Sequence, residues 1–389
     1  MVPGRGGDLF SVATMPALRR EHLTLPYADQ VPLLARVLDP GVRVQPTDPD
    51  RLAAAALHHN VAGYAARALR CKDLELTTDA TRLVEDFHRR SVLHTALLRR
   101  ELGAVAEPLE RACGVAPLLI KGPAVAERFY PDWRLRTSVD LDLLVPLTQL
   151  EAACRCLEQR GYERLVEFGP GYAERHGHDV HLRRRLSERW EIDVELHWRV
   201  GDDPAGAALT HDRLSGGAEA VQIDGCRLPT PAAPAHLVVL SVHLLSDRAK
   251  RLAWVNDLKL VAGSLNPAEW EQAFATADAW GLLWPLHRAL DYAEHHLGLR
   301  RERPRPAGPP LAFGPLRAVE ELDLRASPHV GRLAAMGWRE RARFLRTVLV
   351  PTREGLQGTV GTGDDASTWQ LLRRHVRKAR AGLTRAAQR

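Results

Sequence analysis

Two short stretches of this chain restrict its fold more than any other feature. Val139-Asp140-Leu141-Asp142-Leu143-Leu144-Val145 and Ile192-Asp193-Val194-Glu195-Leu196-His197 both alternate apolar and polar residues at a period of two. Only an extended strand sends successive side chains to opposite faces, so each stretch predicts a strand with one apolar and one acidic side. In the first, Val139, Leu141 and Leu143 oppose Asp140 and Asp142; in the second, Ile192, Val194 and Leu196 oppose Asp193, Glu195 and His197. Carboxylates held side by side in a partly buried cleft repel each other unless a cation lies between them. Oxygen donors so placed suit Mg2+, with Mn2+ the alternative. Three carboxylates from two neighbouring strands can hold two such ions about 4 Å apart, an arrangement that serves phosphoryl-type transfer. Asp193 and Glu195 both stand on the acidic side, so the residues alone leave either as the third carboxylate. His197 is read either as support for the ligands or as a satisfied histidine at the edge of the core.

A second feature precedes the acidic strands. Val115 to Ile120 is a short apolar run closed by Lys121-Gly122-Pro123, and Ala124 to Tyr130 reads as a short helix begun by that proline. A glycine lets backbone amides come close to a polyphosphate, and a helix start adds a favourable dipole. Lys121 and Arg136 are the cations that would offset phosphate charge, and Ser138, just before the acidic strand, joins Gly122 as a nucleotide or phosphate contact.

The texture of the chain changes on either side. From Asp48 to about Leu109 apolar residues recur at three and four spacing, as in Leu52, Ala56, Val61, Tyr64, Ala65 and Leu69, then Leu83, Phe87, Val92, Ala96 and Leu97. This predicts amphipathic helices. In the middle, a helix over Leu147 to Arg160 is followed by strands over Tyr162 to Phe168, His178 to Arg183 and Trp190 to Trp198. Helical periodicity returns over Leu237 to Ser246, Arg251 to Ala262 and Pro267 to Leu297. The expected organisation is α+β: a helical N-terminal lobe with a disordered leader over 1–112, a mixed-sheet core over 113–228, a helical region over 229–302, and a proline-rich linker, further helices and a basic tail over 303–389.

Composition removes several classes of function. With 389 residues, 45% of them hydrophobic and 26% charged, the chain is ordinary globular material, long enough for two or three structural units. The longest apolar run, Leu237 to Leu245, contains a histidine and is about half a bilayer crossing, so no membrane partner is expected. No apolar secretory segment follows Arg5, and the expectation is a cytoplasmic protein. Five cysteines without paired spacing predict reduced thiols, not a zinc knuckle. The 54 basic against 48 acidic residues give +6, carried almost wholly by arginine, a side chain suited to phosphate. His176, His178 and His181 are read as polar strand positions and assigned no metal. Gly358-Thr359-Val360-Gly361-Thr362-Gly363-Asp364-Asp365 lacks the lysine of a phosphate loop and reads as a flexible loop capping a helix. The tail from Leu371 to Arg389 reads as an amphipathic basic helix docked on the body, with contact to RNA or anionic lipid as the sharper reading, so a nucleic-acid partner stays open.

Taken together, the lysine-glycine turn at Ile120-Lys121-Gly122, the set Arg136, Asp140 and Asp142 running into Leu143-Leu144-Val145, and the strand ending Glu195-Leu196-His197-Trp198 resemble the uncharacterised bacterial nucleotidyltransferase family of the DNA polymerase β-like superfamily. His243, Leu252, Trp254 and Asp257 resemble the helical element that follows, so the likeness runs from about Pro117 to Val261. It implies a polymerase β-like mixed-sheet core and Mg2+-dependent transfer of a nucleoside monophosphate from a nucleoside triphosphate (NTP) to an acceptor hydroxyl. The acceptor would be a small molecule, a protein or an RNA. Asp140 and Asp142 would be metal ligands with Glu195, favoured over Asp193 by its match to the family position. The chain departs from the pattern in having Pro123 after Gly122, and Asp247 where many relatives carry a second histidine after His243. The alternative from another class is a catalytically inactive palm that binds a nucleotide or a partner.

Overall fold

The acidic strands lie side by side at the centre of a mixed sheet. The computed structural model describes residues 25–165, 177–201, 204–247 and 249–300. In chain order these form α1 (Val31–Leu38), α2 (Pro49–His58), α3 (Ala62–Arg70), α4 (Thr78–Cys113), β1 (Leu118–Leu119), α5 (Pro123–Phe129), β2 (Asp140–Leu144), α6 (Leu150–Glu158), β3 (Glu163–Arg164), β4 (Asp179–Arg185), β5 (Glu191–His197), the short helices α7 (Pro204–Ala207) and α8 (His211–Ser215), β6 (Ala218–Ile223), β7 (Cys226–Pro231), α9 (Ala233–Ser246), α10 (Leu252–Ser264), α11 (Pro267–Ala279) and α12 (Leu283–Leu297). Five strands make the sheet in the order β1-β2-β5-β4-β3, and β6 and β7 form a separate hairpin. Only β2 and β5 run parallel; the other neighbours in the sheet are antiparallel. The architecture is the α+β mixed-sheet class that the sequence predicts.

Each face of the sheet meets a different layer. Leu141, Leu143, Ile192, Val194, Leu196 and Leu182 are fully buried on one side, in a cluster with Leu98, Leu102, Val105 and Leu109 of α4 and Leu157 of α6. That cluster supplies the hydrophobic stabilisation of the sheet, at about 25 cal/mol per Å2 of apolar surface removed from water. A second cluster joins helices distant in sequence: Leu34 of α1, Leu52 of α2, Leu237 and Val238 of α9, Leu258 of α10 and Leu290 of α12 share one core. Helices from before and after the sheet therefore pack together over its acidic side, and the cleft lies between.

α4 spans both clusters. Its 36 residues would extend about 54 Å at 1.5 Å per residue. Thr77 caps its start by accepting from the Ala80 amide, and Gly114, at φ 70°, ends it in the left-handed conformation. The inward stripe differs from the expected one: Ala80, Val84, Thr95, Leu98, Leu102, Val105 and Leu109 are buried, whereas Leu83 and Leu93 face out.

Several boundaries shift for local reasons. The helix predicted from Leu147 begins as a 3-10 turn over Leu147–Gln149 before α6. The stretch from Pro267 to Leu297 is two helices, broken where Gly281 takes φ 71°. Val139, expected to share the buried face, precedes the strand and is 58% exposed. The β6–β7 hairpin turns through Asp224-Gly225, both at positive φ, the chemistry of a tight primed turn. The leader to residue 24, His176, most of the strand expected after Arg164, the proline-rich segment, the Gly358–Asp365 loop and the basic tail lie outside the described residues.

Candidate functional site

Strand register brings the acidic residues together. In the parallel pair, Asp140 stands opposite Asp193 and Asp142 opposite Glu195. In the antiparallel pair on the other side of β5, Arg183 faces Asp193, His181 faces Glu195 and Asp179 faces His197. Residues directly opposite on neighbouring strands share a face. One side of three strands therefore carries Asp140, Asp142, Glu195, His197, His181 and Asp179. These residues border a cleft of about 430 Å3, closed on its far side by Asn60, His243, Asp247, Arg251 and Trp254 from the helices.

Asp193 leaves this group. Its carboxylate takes a two-point ion pair from Arg183, at 2.6 and 2.8 Å, and it does not border the cleft. Glu195 is the acid from β5 that does.

Two cations hold the buried carboxylates in place. Lys121 Nζ lies 2.7 Å from Asp142 Oδ1. His197 Nε2 lies 3.1 Å from the same oxygen and 3.3 Å from Glu195 Oε2. Burial by itself would raise the Asp142 carboxyl, but Lys121 and His197 outweigh it and hold it well below the usual carboxylate range. Asp140 has no such partner: burial, then the charges of Asp142 and Glu195, push it up to about 7. Burial would lower His197, yet its bonds to Asp142 and Glu195 raise it to about 9. Burial and like charges that drive one acid of a cluster towards neutrality are electrostatics that favour a cation.

The lysine-glycine turn sits at the edge of this cluster. Gly122 has φ 55° and ψ −113°, a conformation that disfavours any residue with a Cβ. A Cβ there would come to 3.0 Å from Ser138 Oγ. That hydroxyl is buried and has no hydrogen-bond partner. A glycine packed close against an unpaired hydroxyl, beside an ammonium, makes a turn matched to phosphate oxygens. The turn is fixed from behind, where His236 Nε2 hydrogen bonds to the Ile120 carbonyl at 2.9 Å and the Thr230 hydroxyl donates to the Leu119 carbonyl at 2.8 Å.

The segment leading into β2 is held at three successive residues. Arg136 donates to both Asp257 oxygens, through Nε at 3.0 and 3.2 Å and Nη2 at 2.9 Å, and through Nη1 to the Thr137 carbonyl. Asn60 donates to the Thr137 carbonyl and accepts from its hydroxyl. Thr95 accepts from the Ser138 amide at 2.9 Å. Arg136, expected to meet phosphate, thus has its guanidinium engaged by a buried acid, although it borders the cleft. The aspartate is one of the four residues that carried the likeness in the helical region.

Residues outside the expected set complete the cleft. His178, Asp179 and His181 border it, as do His243 and Asp247, whose side chains pair at 3.0 Å. His243 also packs edge-on against Trp254, with ring centres 5.0 Å apart. A signal for Asp179 existed in the alternation of Asp179, His181 and Arg183, which places all three on the side of the sheet shared with Glu195.

The donor set fits divalent cations. Asp142, Glu195 and His197 bring ligand atoms within 4.8 Å of one another, as do His178, Asp179 and His197, and Asp179, His181 and Glu195. The carboxylates would hold a hard ion such as Mg2+.

A mixed sheet bearing clustered acids beside a glycine turn, with helices closing the cleft, defines a protein of the nucleotidyltransferase class. The sequence model of the uncharacterised nucleotidyltransferase family matches residues 45–298, and the chain belongs to that family. Among solved structures, a nucleotidyltransferase-like antigenic protein from Paracoccidioides brasiliensis is similar at 14% identity and a TM-score of 0.37, over 53% of this chain and 94% of that one. No curated protein matches significantly. None of the described helices is long and apolar enough to cross a membrane.

Proposed function

We propose that the protein transfers a nucleoside monophosphate from an NTP to an acceptor hydroxyl, with divalent metal, Mg2+ first, held by Asp140, Asp142 and Glu195. The observation that carries this reading is the strand register: three acids meet beside a turn whose glycine lets the chain pass close to the buried, unpaired Ser138 hydroxyl. When bound, the metal would neutralise the carboxylates and draw electron density from the phosphate and acceptor oxygens.

The protein's own groups do the rest. Gly122 lets the turn's backbone approach the triphosphate, and Ser138 Oγ donates to one of its oxygens. Lys121 offsets charge that builds on the leaving pyrophosphate. Arg136 acts as a positioning residue, holding the segment that carries Ser138 and Asp140. The acceptor enters along the helical wall of the cleft and is a small molecule, a protein or an RNA end. The test is to incubate the purified chain and a cell extract with each α-labelled triphosphate and follow the label. Label should enter an acceptor with release of pyrophosphate, and Asp140→Asn and Asp142→Asn should abolish it without loss of fold.

One observation favours a non-catalytic palm that only binds nucleotide: Lys121 already satisfies Asp142. Calorimetry that showed NTP binding with Mg2+, together with no pyrophosphate release on long incubation with extract, would decide for that reading.

A further inference from the structure

Beside the three carboxylates, the start of β4 places a different donor set against the end of β5. Asp179 pairs in register with His197, and the His178 ring centre lies 5.7 Å from that of His197. The ligand atoms of His178, Asp179 and His197 all fall within 4.8 Å of one another. His178 Nε2 is 3.6 Å from Asp179 Oδ2, too long for a good hydrogen bond. Ligand atoms sharing one ion at about 2.0–2.2 Å stand roughly 3–3.6 Å apart, so this spacing is that of two ligands of a common metal.

His197 supplies the second, independent observation. It is 1% exposed; its Nε2 contacts Asp142 and Glu195, and its Nδ1 is buried without a partner. A metal-binding imidazole commonly takes a carboxylate on one ring nitrogen, which orients the ring, and binds the ion through the other, so an ion at His197 would displace the Nδ1 proton of the cationic ring. The carboxylates that would hold Mg2+ therefore also orient the imidazole of a neighbouring position. His181, between Asp179 at 2.9 Å and Glu195 at 3.3 Å, ties the two positions together from the open side.

From this geometry we infer that His178, Asp179 and His197 form a separate ion position selective for a borderline transition metal, Zn2+ or Co2+, over Mg2+. Two imidazoles and one carboxylate favour Zn2+ and its neighbours, whereas Mg2+ prefers oxygen alone. Three protein ligands leave a coordination place open towards the cleft, where water or a substrate oxygen would complete the shell. The inference extends the reading of the cleft as a divalent-ion centre, but its binding test does not need nucleotidyl transfer to occur.

The experiment strips the full chain with a chelator and titrates it with Co2+, recording visible absorption and bound metal after dialysis. One Co2+ per chain should bind with the spectrum of a nitrogen-containing site, Zn2+ should displace it, and excess Mg2+ should not. His178→Ala and Asp179→Asn should each weaken Co2+ binding on the order of a hundredfold, and His181→Ala less, with circular dichroism confirming the fold. The partly exposed His178 makes its alanine variant the safest of these. If Co2+ binding survives His178→Ala and Asp179→Asn and is lost in Asp140→Asn, the ion sits on the carboxylates; the inference then fails while the proposed transfer stands. If the native chain binds no Co2+, or Mg2+ displaces it, the inference fails as well. Co2+ held through His178 and Asp179 by a chain that transfers no label with any metal would uphold the inference and overturn the proposed function.

Discussion

Lys121 Nζ and Asp142 Oδ1 lie 2.7 Å apart with both side chains nearly closed to solvent, so the metal-free site carries its own counter-charge. Asp142 keeps His197 when Lys121 is lost, so the cost should fall short of about 3–5 kcal/mol, that of a buried carboxylate left with no partner. The pair also means that an arriving metal ion competes with the ammonium for Asp142. Lys121→Met should therefore lower the stability of the metal-free chain by less than that range and enlarge the stabilisation that Mg2+ confers. Thermal unfolding of both forms with and without Mg2+ measures this. Equal responses to Mg2+ would separate Lys121 from the metal site.

Ser138 and Gly122 give a contrasting pair of predictions. The Ser138 hydroxyl makes no hydrogen bond, so Ser138→Ala should alter stability by no more than about 0.5 kcal/mol. If the hydroxyl meets the triphosphate, the same variant should raise the KM for NTP several-fold. Gly122→Ala puts a Cβ at positive φ and 3.0 Å from that hydroxyl, and should cost about 1–2 kcal/mol in urea unfolding as well as nucleotide affinity. A Ser138→Ala variant that is destabilised yet binds NTP normally would assign the hydroxyl a structural role.

Much of this site was legible because it depends on local periodicity. Alternation in Asp140-Leu141-Asp142-Leu143 and in Asp193-Val194-Glu195-Leu196 dictates which side chains share a face whatever the rest of the chain does, and Leu141, Leu143, Val194 and Leu196 are all fully buried. The partner of Arg136 was not legible. Arg136 stands 121 residues from Asp257, and only the packing of α10 against the segment before β2 brings them together. The same limit hid the partner of Asp193, which Arg183 engages while Glu195 borders the cleft. The Asp224-Gly225 turn, by contrast, is a tight-hairpin signal that depends on two adjacent residues alone.

Arg136 and Asp257 also yield a test of positioning against phosphate binding. Both are buried, and Tyr130 adds a hydrogen bond to Asp257 at 2.6 Å. Removing either member leaves a buried charge, so Arg136→Met should cost about 3–5 kcal/mol in urea unfolding. Arg136→Met combined with Asp257→Leu removes both charges and should recover most of that loss. If Arg136 acts by holding the segment before β2, the double variant should keep near-native NTP affinity and lose kcat. A large rise in KM with kcat preserved would instead place the guanidinium on the phosphates.

Two buried histidines, His59 and His236, contribute to the response to acid. His59 donates through Nε2 to the Pro26 carbonyl at 2.7 Å and accepts from the Leu252 amide at Nδ1, which requires the neutral ring. Burial pushes it down to about 4, and burial followed by Arg128 pushes His236 to about 3. In the unfolded chain both would titrate near 6.5, so below that pH the unfolded state takes up protons that the folded state refuses. The stability these rings contribute is whole above pH 6.5 and falls as the pH drops, until His59 protonates in the fold near 4 and His236 near 3. Each ring adds about 1.4 kcal/mol per pH unit across its window. Urea midpoints at pH 7, 5.5 and 4.5 should decline steeply, and His59→Gln with His236→Gln should flatten the decline by about 2.7 kcal/mol per unit, at the cost of lower stability at pH 7. An unchanged slope in the double variant would mean that the acid response comes from other groups, His178 and the carboxylates among them.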